Sequence, residues 1–181
     1  APMDIGLVYG SSTGRTRLAA ERIREELGPE FVRSCSDIRR CGRRAFEAGD
    51  LLIVGASTWS VGELQTDWER AVPHLEGLDL AGKRIALFGL GDQRNYRDTF
   101  VDGMGLLHDK LASLGARLDL GAWSVEGYGF RESLAVREGR FVGLALDDEN
   151  QPELTAPRIR AWCSQLRAEL GLASRGVIRA A

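Results

Sequence analysis

A loop rich in hydroxyl side chains follows the first apolar run of the chain and could bind a phosphate. Residues 4–16 read Asp-Ile-Gly-Leu-Val-Tyr-Gly-Ser-Ser-Thr-Gly-Arg-Thr, so a strand ends near Tyr9 and a helix begins near Gly14. A phosphate at that helix N-terminus would meet free backbone N–H groups, the positive end of the helix dipole and several hydroxyls. A tight turn capped by Ser or Thr would have the same sequence, so this loop alone leaves both interpretations open.

The same loop lacks the features needed to bind a nucleoside triphosphate. A Walker loop has Gly, four residues, and then Gly-Lys-Ser/Thr. Here Gly10 and Gly14 are one residue too close together, and Arg15 stands where the lysine would be. The pattern therefore disfavours nucleoside triphosphate chemistry with Mg²⁺ and favours a terminal monophosphate that is held rather than transferred.

Two further segments place an aromatic residue in a loop of small and polar residues. Residues 55–68 read Gly-Ala-Ser-Thr-Trp-Ser-Val-Gly-Glu-Leu-Gln-Thr-Asp-Trp, and residues 87–96 read Leu-Phe-Gly-Leu-Gly-Asp-Gln-Arg-Asn-Tyr. Each follows an apolar run that is typical of a buried parallel strand. Loops that follow parallel strands meet at one edge of the sheet, where open α/β sheets bind ligands. We therefore expect a flat ring to be clamped between Trp59 and Tyr96, with its phosphate on the first loop.

These three segments resemble the flavodoxins, small proteins that bind flavin mononucleotide (FMN) and carry electrons. The first matches their phosphate loop, and the other two match their two flavin loops. Residues 123–128 (Trp-Ser-Val-Glu-Gly-Tyr) and 141–151 (Phe-Val-Gly-Leu-Ala-Leu-Asp-Asp-Glu-Asn-Gln) resemble the inserted segment of the long-chain subgroup. The resemblance extends from about Ile5 to Leu172, nearly the whole chain.

The alternation of apolar runs and amphipathic segments predicts an α/β fold, a doubly wound parallel sheet with helices on both faces. The resemblance supplies five strands in the order 2-1-3-4-5, with an insertion at 121–140 that splits strand 5. Because this segment is rich in Gly and charged residues, we expect it to form a small hairpin. We expect a single domain over residues 1–172 and a loose tail over 173–181. The predicted strands are 5–9, 31–34, 51–54, 84–88, 117–120 and 141–145, and the predicted helices are 16–27, 43–48, 67–75, 98–114 and 155–170, the last capped by Thr155.

The resemblance implies a set of FMN-binding residues and no catalytic or metal-ligating ones. Asp92 would lie near the pyrimidine end of the ring, where its charge opposes an anionic flavin, although it could also be a turn residue. Trp68, Trp123 and Trp162 are interpreted as core, and the run 147–149 (Asp-Asp-Glu) as a solvated turn. The implied binding residues are Ser11, Ser12, Thr13, Gly14, Arg15, Thr16, Ser57, Thr58, Trp59, Ser60, Val61, Gly62, Leu90, Gly91, Asp92 and Tyr96.

The function implied by the resemblance is that of a low-potential, single-electron carrier and not an enzyme. Its partners would be ferredoxin/flavodoxin–NADP reductase and acceptors such as nitrogenase or radical-activating enzymes. One alternative is an NAD(P)H or quinone reductase on the same fold, which would need a substrate pocket over one flavin face. Another is a binding module that has lost its flavin. The two loop aromatics argue against the first alternative, and the hydroxyl loop together with both aromatics argues against the second.

Composition is compatible with a monomeric cytoplasmic protein that binds neither membrane nor nucleic acid. The chain has 181 residues and a formal net charge of −2, and it has no long apolar run that would span a membrane. No signal-peptide pattern is recognisable at the N-terminus. Cys35, Cys41 and Cys163 are widely spaced and indicate a reducing compartment rather than a disulfide framework.

Overall fold

The strands account for the positions of all three predicted loops. The computed structural model describes residues 3–47, 49–59 and 61–172. The predicted loose tail, residues 173–181, lies outside the described residues. Within them the strands are β1 (Ile5–Tyr9), β2 (Val32–Asp37), β3 (Leu51–Trp59), β4 (Glu63–Leu64), β5 (Arg84–Leu90), β6 (Trp123–Ser124), β7 (Val136–Arg137), β8 (Arg140–Phe141) and β9 (Leu144–Leu146).

Five of these strands form a parallel sheet in the order β2-β1-β3-β5-β9. This is the predicted order 2-1-3-4-5, because β4 only pairs antiparallel with the end of β3, and β6 to β8 belong to the insertion. The register places Tyr9 opposite Gly55, and Ser57 opposite Leu90. The loops after β1, β3 and β5 therefore leave the same edge of the sheet, and the predicted fold is confirmed.

Helices cover both faces of the sheet. They are α1 (Arg15–Leu27), α2 (Ile38–Cys41), α3 (Thr66–Ala71), α4 (Asp102–Ser113) and α5 (Pro152–Glu169), with 3-10 turns at Gly42–Phe46 and Val72–Leu75. Successive side chains of a strand point to opposite faces. Accordingly Ile53 packs with α1 and α5, whereas Val54 packs with α3 and α4. Trp162 and Trp68 are fully buried on these two faces, which confirms that both pack in the core. Trp123, also predicted as core, is only partly buried and packs against the core residues of both faces.

The insertion forms a small antiparallel sheet in the order β6-β8-β7. The sequence predicted only a hairpin in this segment. The rings of Phe100, Tyr128 and Phe141 pack together beneath it, with centroids 5.1–5.9 Å apart. Aromatic pairs at such separations stabilise packing beyond the area they bury. The insertion is therefore attached to the domain through an aromatic cluster.

The prediction that residues 117–120 and 141–145 form the two parts of the last strand is only partly confirmed. Of residues 117–120, only Arg117 pairs with β5, through a single bridge. The predicted strand 141–145 is divided between β8 and β9. Gly143 lies at this division, where a Cβ atom would be only 2.1 Å from the carbonyl oxygen of Leu87. The close backbone approach requires glycine and turns the chain from the insertion into the main sheet.

Two predicted helix starts were wrong. The helix α4 begins at Asp102 because Val101 has left-handed backbone torsion angles (φ 48°), which interrupt the helix that was expected from residue 98. The helix α5 begins at Pro152, whose missing amide hydrogen suits a first turn. Thr155 therefore lies inside α5 and is not its cap; its hydroxyl donates to the carboxylate of Asp148.

Candidate cofactor-binding site

The hydroxyl loop is shaped by Gly14, the residue that precedes α1. Gly14 has φ 86° and ψ −8°, left-handed torsion angles that glycine adopts at low cost. Its N–H donates to the Ser11 hydroxyl over 3.1 Å. The first turn of α1 contains no acidic residue, and the Thr16 side chain is buried at its start. No side chain caps the start of α1, so the first N–H groups of the helix remain available to an anion.

Sequence reasoning missed a buried glutamine that supports this loop. Gln65 is fully buried, and its Nε2 donates to the Ser12 hydroxyl (2.9 Å) and to a carboxylate oxygen of Asp67 (3.0 Å). Its Oε1 accepts the N–H groups of Asp67 and Trp68 at the start of α3. Backbone N–H groups can only donate, so the side-chain atom that they contact must be the amide oxygen. The NH₂ group of Gln65 must therefore face Ser12. One side chain therefore joins the phosphate loop to the end of the first flavin loop.

The first flavin loop is held by strand pairing that the sequence did not reveal. The strand β3 continues to Trp59 because Thr58 and Trp59 pair with Leu64 and Glu63. The Thr58 hydroxyl accepts the Gly103 N–H over 2.8 Å, which ties this end of β3 to α4. At the tip, Val61 is exposed and Gly62 has φ 78°. Ser60 lies outside the described residues.

The second flavin loop is ordered by Asp92. Its carboxylate accepts hydrogen bonds from the N–H groups of Arg94 and Asn95 and from the side-chain amides of Asn95 and Asn150. Burial alone would raise the pKa of Asp92, but these hydrogen bonds outweigh it and hold the pKa below its usual value. Asp92 is thus both a turn residue and an ionised group beside the site. The turn also includes a hydrogen bond from the Tyr96 N–H to the Asp92 carbonyl (3.0 Å).

These loops enclose one cleft of about 240 Å³. Trp59 and Tyr96 both line it and are about 40% and 39% exposed, unusually open for large aromatics in a folded chain. The other predicted residues in the cleft wall are Thr13, Arg15, Thr16, Ser57, Thr58, Leu90, Gly91 and Asp92. The structure places Ser11, Ser12, Gly14, Val61 and Gly62 in the same loops but not in the cleft wall.

The acidic run 147–149 is part of this site and is not simply a solvated turn. Asp147 is completely buried, which contradicts the sequence-based interpretation, and it accepts the backbone N–H and the side-chain amide of Gln93. Asp148 and Glu149 line the cleft. Glu149 forms an ion pair with Arg15, so the arginine beside the phosphate loop is already paired with a carboxylate. These contacts join residues that are far apart in the chain, so no local sequence pattern predicts them.

The chemistry available in the cleft is binding by neutral donors and aromatic faces. Hydroxyls and helix N–H groups can hold a phosphate, while the two aromatic side chains can stack on a flat ring. Among the described residues, no group of three or more His, Cys, Asp or Glu side chains could hold a metal ion. No helix in the described part of the chain is long and apolar enough to cross a membrane.

Comparison with known proteins identifies the family. The flavodoxin family model matches residues 7–162. The chain belongs to the flavodoxin family. It is 49% identical to a flavodoxin of Synechococcus elongatus over 168 residues, which cover 93% of this chain and 98% of the relative. Identity to flavodoxin 2 of Escherichia coli is 45% over 170 residues, with 93% and 97% covered. The inserted segment is consistent with the long-chain subgroup.

Solved structures agree with this assignment. The flavodoxin of Fusobacterium nucleatum, in a crystal structure bound to flavin mononucleotide, superimposes with a TM-score of 0.85 at 30% identity, covering 92% of this chain and 98% of that one. Flavodoxins are electron-transfer flavoproteins that bind FMN and are not enzymes. The resemblance read from the sequence is therefore confirmed for the family, its fold and its general activity.

Proposed function

We propose that this flavodoxin binds FMN non-covalently in the cleft and carries single electrons at low potential between redox proteins. The observation that carries the proposal is the cleft itself, in which a hydroxyl loop at a helix N-terminus and two exposed aromatics, Trp59 and Tyr96, line one space. The phosphate would lie on residues 11–16 and the isoalloxazine between the two aromatics. FMN would supply the redox chemistry, and the protein would tune it.

The phosphate would be held mainly by neutral donors. Gln65 donates to the Ser12 oxygen, which leaves the single Ser12 proton free to point toward an anion. Thr13 and Thr16 line the cleft beside it. The Arg15 guanidinium is paired with Glu149, so its positive charge is partly neutralised before any ligand binds. Binding would therefore depend on directed hydrogen bonds more than on net charge.

The surroundings of the ring would disfavour extra negative charge. Asp92, whose pKa is lowered by its hydrogen bonds, lines the cleft together with Asp148 and Glu149. A ring that gains negative charge on reduction would do so close to carboxylates and between two aromatic faces that exclude water. Both effects lower the reduction potential of the final one-electron step. This supports low-potential electron transfer rather than hydride transfer to a substrate.

The absorption spectrum of the purified protein is the direct test. Bound FMN should give a yellow protein with resolved flavin bands, and a spectroelectrochemical titration should show two separate one-electron steps. A colourless protein that does not take up added FMN would contradict the proposal. Rapid steady-state oxidation of NADPH by the protein alone would support the alternative, a flavin-dependent reductase.

The cellular setting belongs to the same proposal. We expect a cytoplasmic monomer whose donor is a ferredoxin/flavodoxin–NADP reductase and whose acceptors are soluble enzymes, nitrogenase or radical-activating enzymes among them. Reduction by such a reductase and NADPH in stopped-flow experiments, with sedimentation velocity for the oligomeric state, would test both expectations. Failure of reduction by the reductase would contradict that choice of donor while leaving FMN binding intact.

A further inference from the structure

A second cavity lies beside the phosphate loop and shares no residue with the cofactor cleft. It has a volume of about 310 Å³ and lies between α2, the 3-10 turn that follows it, and α3. Buried Ile38 and Leu75 form its apolar floor, and exposed Arg39, Arg43 and Arg70 stand at its rim. We refer to it as the arginine cavity.

The arginines at this cavity carry uncompensated positive charge. Arg39 is the exception, since it forms ion pairs with Asp37 and Asp67. Arg43 donates to the carbonyl oxygens of His74 (3.2 Å) and Glu76 (3.4 Å), which orient its guanidinium without neutralising it. Among the described residues, the other two arginines that line the cavity, Arg43 and Arg70, form no ion pair, and neither do Arg40 and Arg44 on the adjoining segment.

This concentration of positive charge contrasts with the chain as a whole, whose formal net charge is −2. Clustered like charges repel one another and do not stabilise a fold. Guanidinium groups pair with carboxylates through two parallel hydrogen bonds, and arginine is enriched at protein interfaces. An apolar pocket ringed by such groups has the features of an anchor site, in which one buried side chain is surrounded by polar contacts.

The position of the cavity favours a protein that also approaches the cofactor cleft. The helix α2 begins directly after β2, at the edge of the sheet from which the phosphate loop leaves. A chain of contacts joins the two sites: Arg39 pairs with Asp67, Asp67 accepts a hydrogen bond from Gln65, and Gln65 donates to Ser12. A partner seated on the arginine cavity would therefore contact the same rim as the cleft.

We propose that the arginine cavity is a docking site for a carboxylate-rich segment of a redox partner protein. One apolar side chain of that segment enters the cavity, and its flanking carboxylates pair with Arg43 and Arg70. The cavity, about 310 Å³ in volume, has room for one large side chain, and the charge of Arg43 and Arg70 at its rim is complementary to an acidic segment. The identity of the occupant as a redox partner rests on the proposed electron-carrier function, whereas binding of the acidic segment can be measured without it.

The test uses the FMN-loaded protein and a fluorescein-labelled heptapeptide with a central Phe and three Glu on each side. We expect binding, followed by fluorescence anisotropy, to weaken with added salt and to be about tenfold weaker in the double variant Arg43→Glu/Arg70→Glu. The matched control is Arg22→Glu/Arg160→Glu, which changes the net charge equally at exposed positions on α1 and α5. Equal losses in both double variants would overturn the proposal, because they would show that only overall charge matters.

A second arm tests the cavity without changing any charge. Ala71 lines the cavity, and the ring introduced by Ala71→Phe should obstruct it. The Phe-centred peptide should then bind no better than one with a central Gly, whereas the unchanged protein should prefer the Phe-centred peptide. Equal binding of both peptides by the unchanged protein would overturn the proposal. Displacement of the Phe-centred peptide by AMP or inorganic phosphate at similar concentration would also overturn it, because it would indicate a site for small anions.

Folding and cofactor content are measured on the same samples. Thermal unfolding and flavin absorbance identify any variant that is damaged as a whole, and Arg70→Glu alone keeps the Arg43 hydrogen bonds in case the double variant unfolds. If the flavin spectrum and redox titration are normal but the peptide does not bind, the docking site is wrong and the electron-carrier function stands. If the peptide binds to a protein that takes up no FMN, the proposed function is wrong, and the acidic-segment site stands without its redox partner.

Discussion

Gln65 is expected to act on the phosphate through the direction of one proton. A serine hydroxyl has a single proton, and in this structure its oxygen already accepts from Gln65 Nε2 at 2.9 Å. The proton of Ser12 is therefore free to bond to a phosphate oxygen. In Gln65→Glu the second carboxylate oxygen would instead accept that proton. The first oxygen could still accept the N–H groups of Asp67 and Trp68, so the start of α3 keeps its cap.

The magnitude follows from the bond that is lost. A hydrogen bond to a charged group contributes about 1.5–3 kcal/mol, so turning the Ser12 proton away should weaken FMN binding about 10- to 150-fold. Riboflavin lacks the phosphate and should bind almost unchanged. The new carboxylate also repels the phosphate directly, and it lies near Asp67. Gln65→Glu must therefore be compared in two backgrounds, with Ser12 present and in Ser12→Ala.

The assay is the quenching of flavin fluorescence when the flavin binds to the apoprotein. FMN and riboflavin are each titrated into four proteins: the unchanged protein, Gln65→Glu, Ser12→Ala and the double variant. Direct charge repulsion weakens FMN binding in both backgrounds, whereas the proton effect exists only when the Ser12 hydroxyl is present. The loss of FMN affinity should thus be about tenfold or more greater with Ser12 than with alanine. An equal loss in both backgrounds would refute the reasoning, and a parallel loss of riboflavin binding would indicate general damage.

Three other predictions concern the same cleft and the core behind it. Thr13→Val should weaken FMN binding about tenfold and leave riboflavin binding unchanged in the same assay, with Thr13→Ser as control; equal losses for both ligands would exclude a phosphate contact. Tyr96→Ala should raise the potential of the final one-electron step and weaken FMN binding about three- to tenfold, whereas Tyr96→Phe should change both little; a redox titration that shows no change in Tyr96→Ala would contradict the stacked arrangement. Burial raises the pKa of Tyr128 to about 12, so the unfolded chain loses this proton near pH 10 while the folded chain keeps it. The stability contributed by neutral Tyr128 is complete below pH 10, and roughly 3 kcal/mol of it is lost as the pH rises through about 12. The free energy of unfolding should therefore be measured with urea from pH 9 to 12 for the unchanged protein and for Tyr128→Phe. The difference between the two proteins should decrease by about this amount over that range, and a constant difference would contradict the assigned pKa.

Local sequence patterns were sufficient to predict the sheet and the loops at its edge. Apolar runs at Ile5–Tyr9 and Arg84–Phe88 read as buried parallel strands because both faces of the sheet are covered, and small polar residues after each run mark a loop. The family resemblance then supplied the strand order. Both signals depend on residues that are adjacent in the chain, so they could be read without coordinates.

Tertiary structure decided the contacts that complete the site. Gln65 reaches Ser12 across 53 positions, and Arg15 reaches Glu149 across 134. Asp147 is an acidic residue like its neighbours Asp148 and Glu149, but it alone of the three is fully buried, against Gln93. A carboxylate or amide has the same local sequence signature whether it is solvated or buried. Its role is set by the donors that packing brings to it, because a polar group leaves water at low cost only when another element supplies its hydrogen bonds.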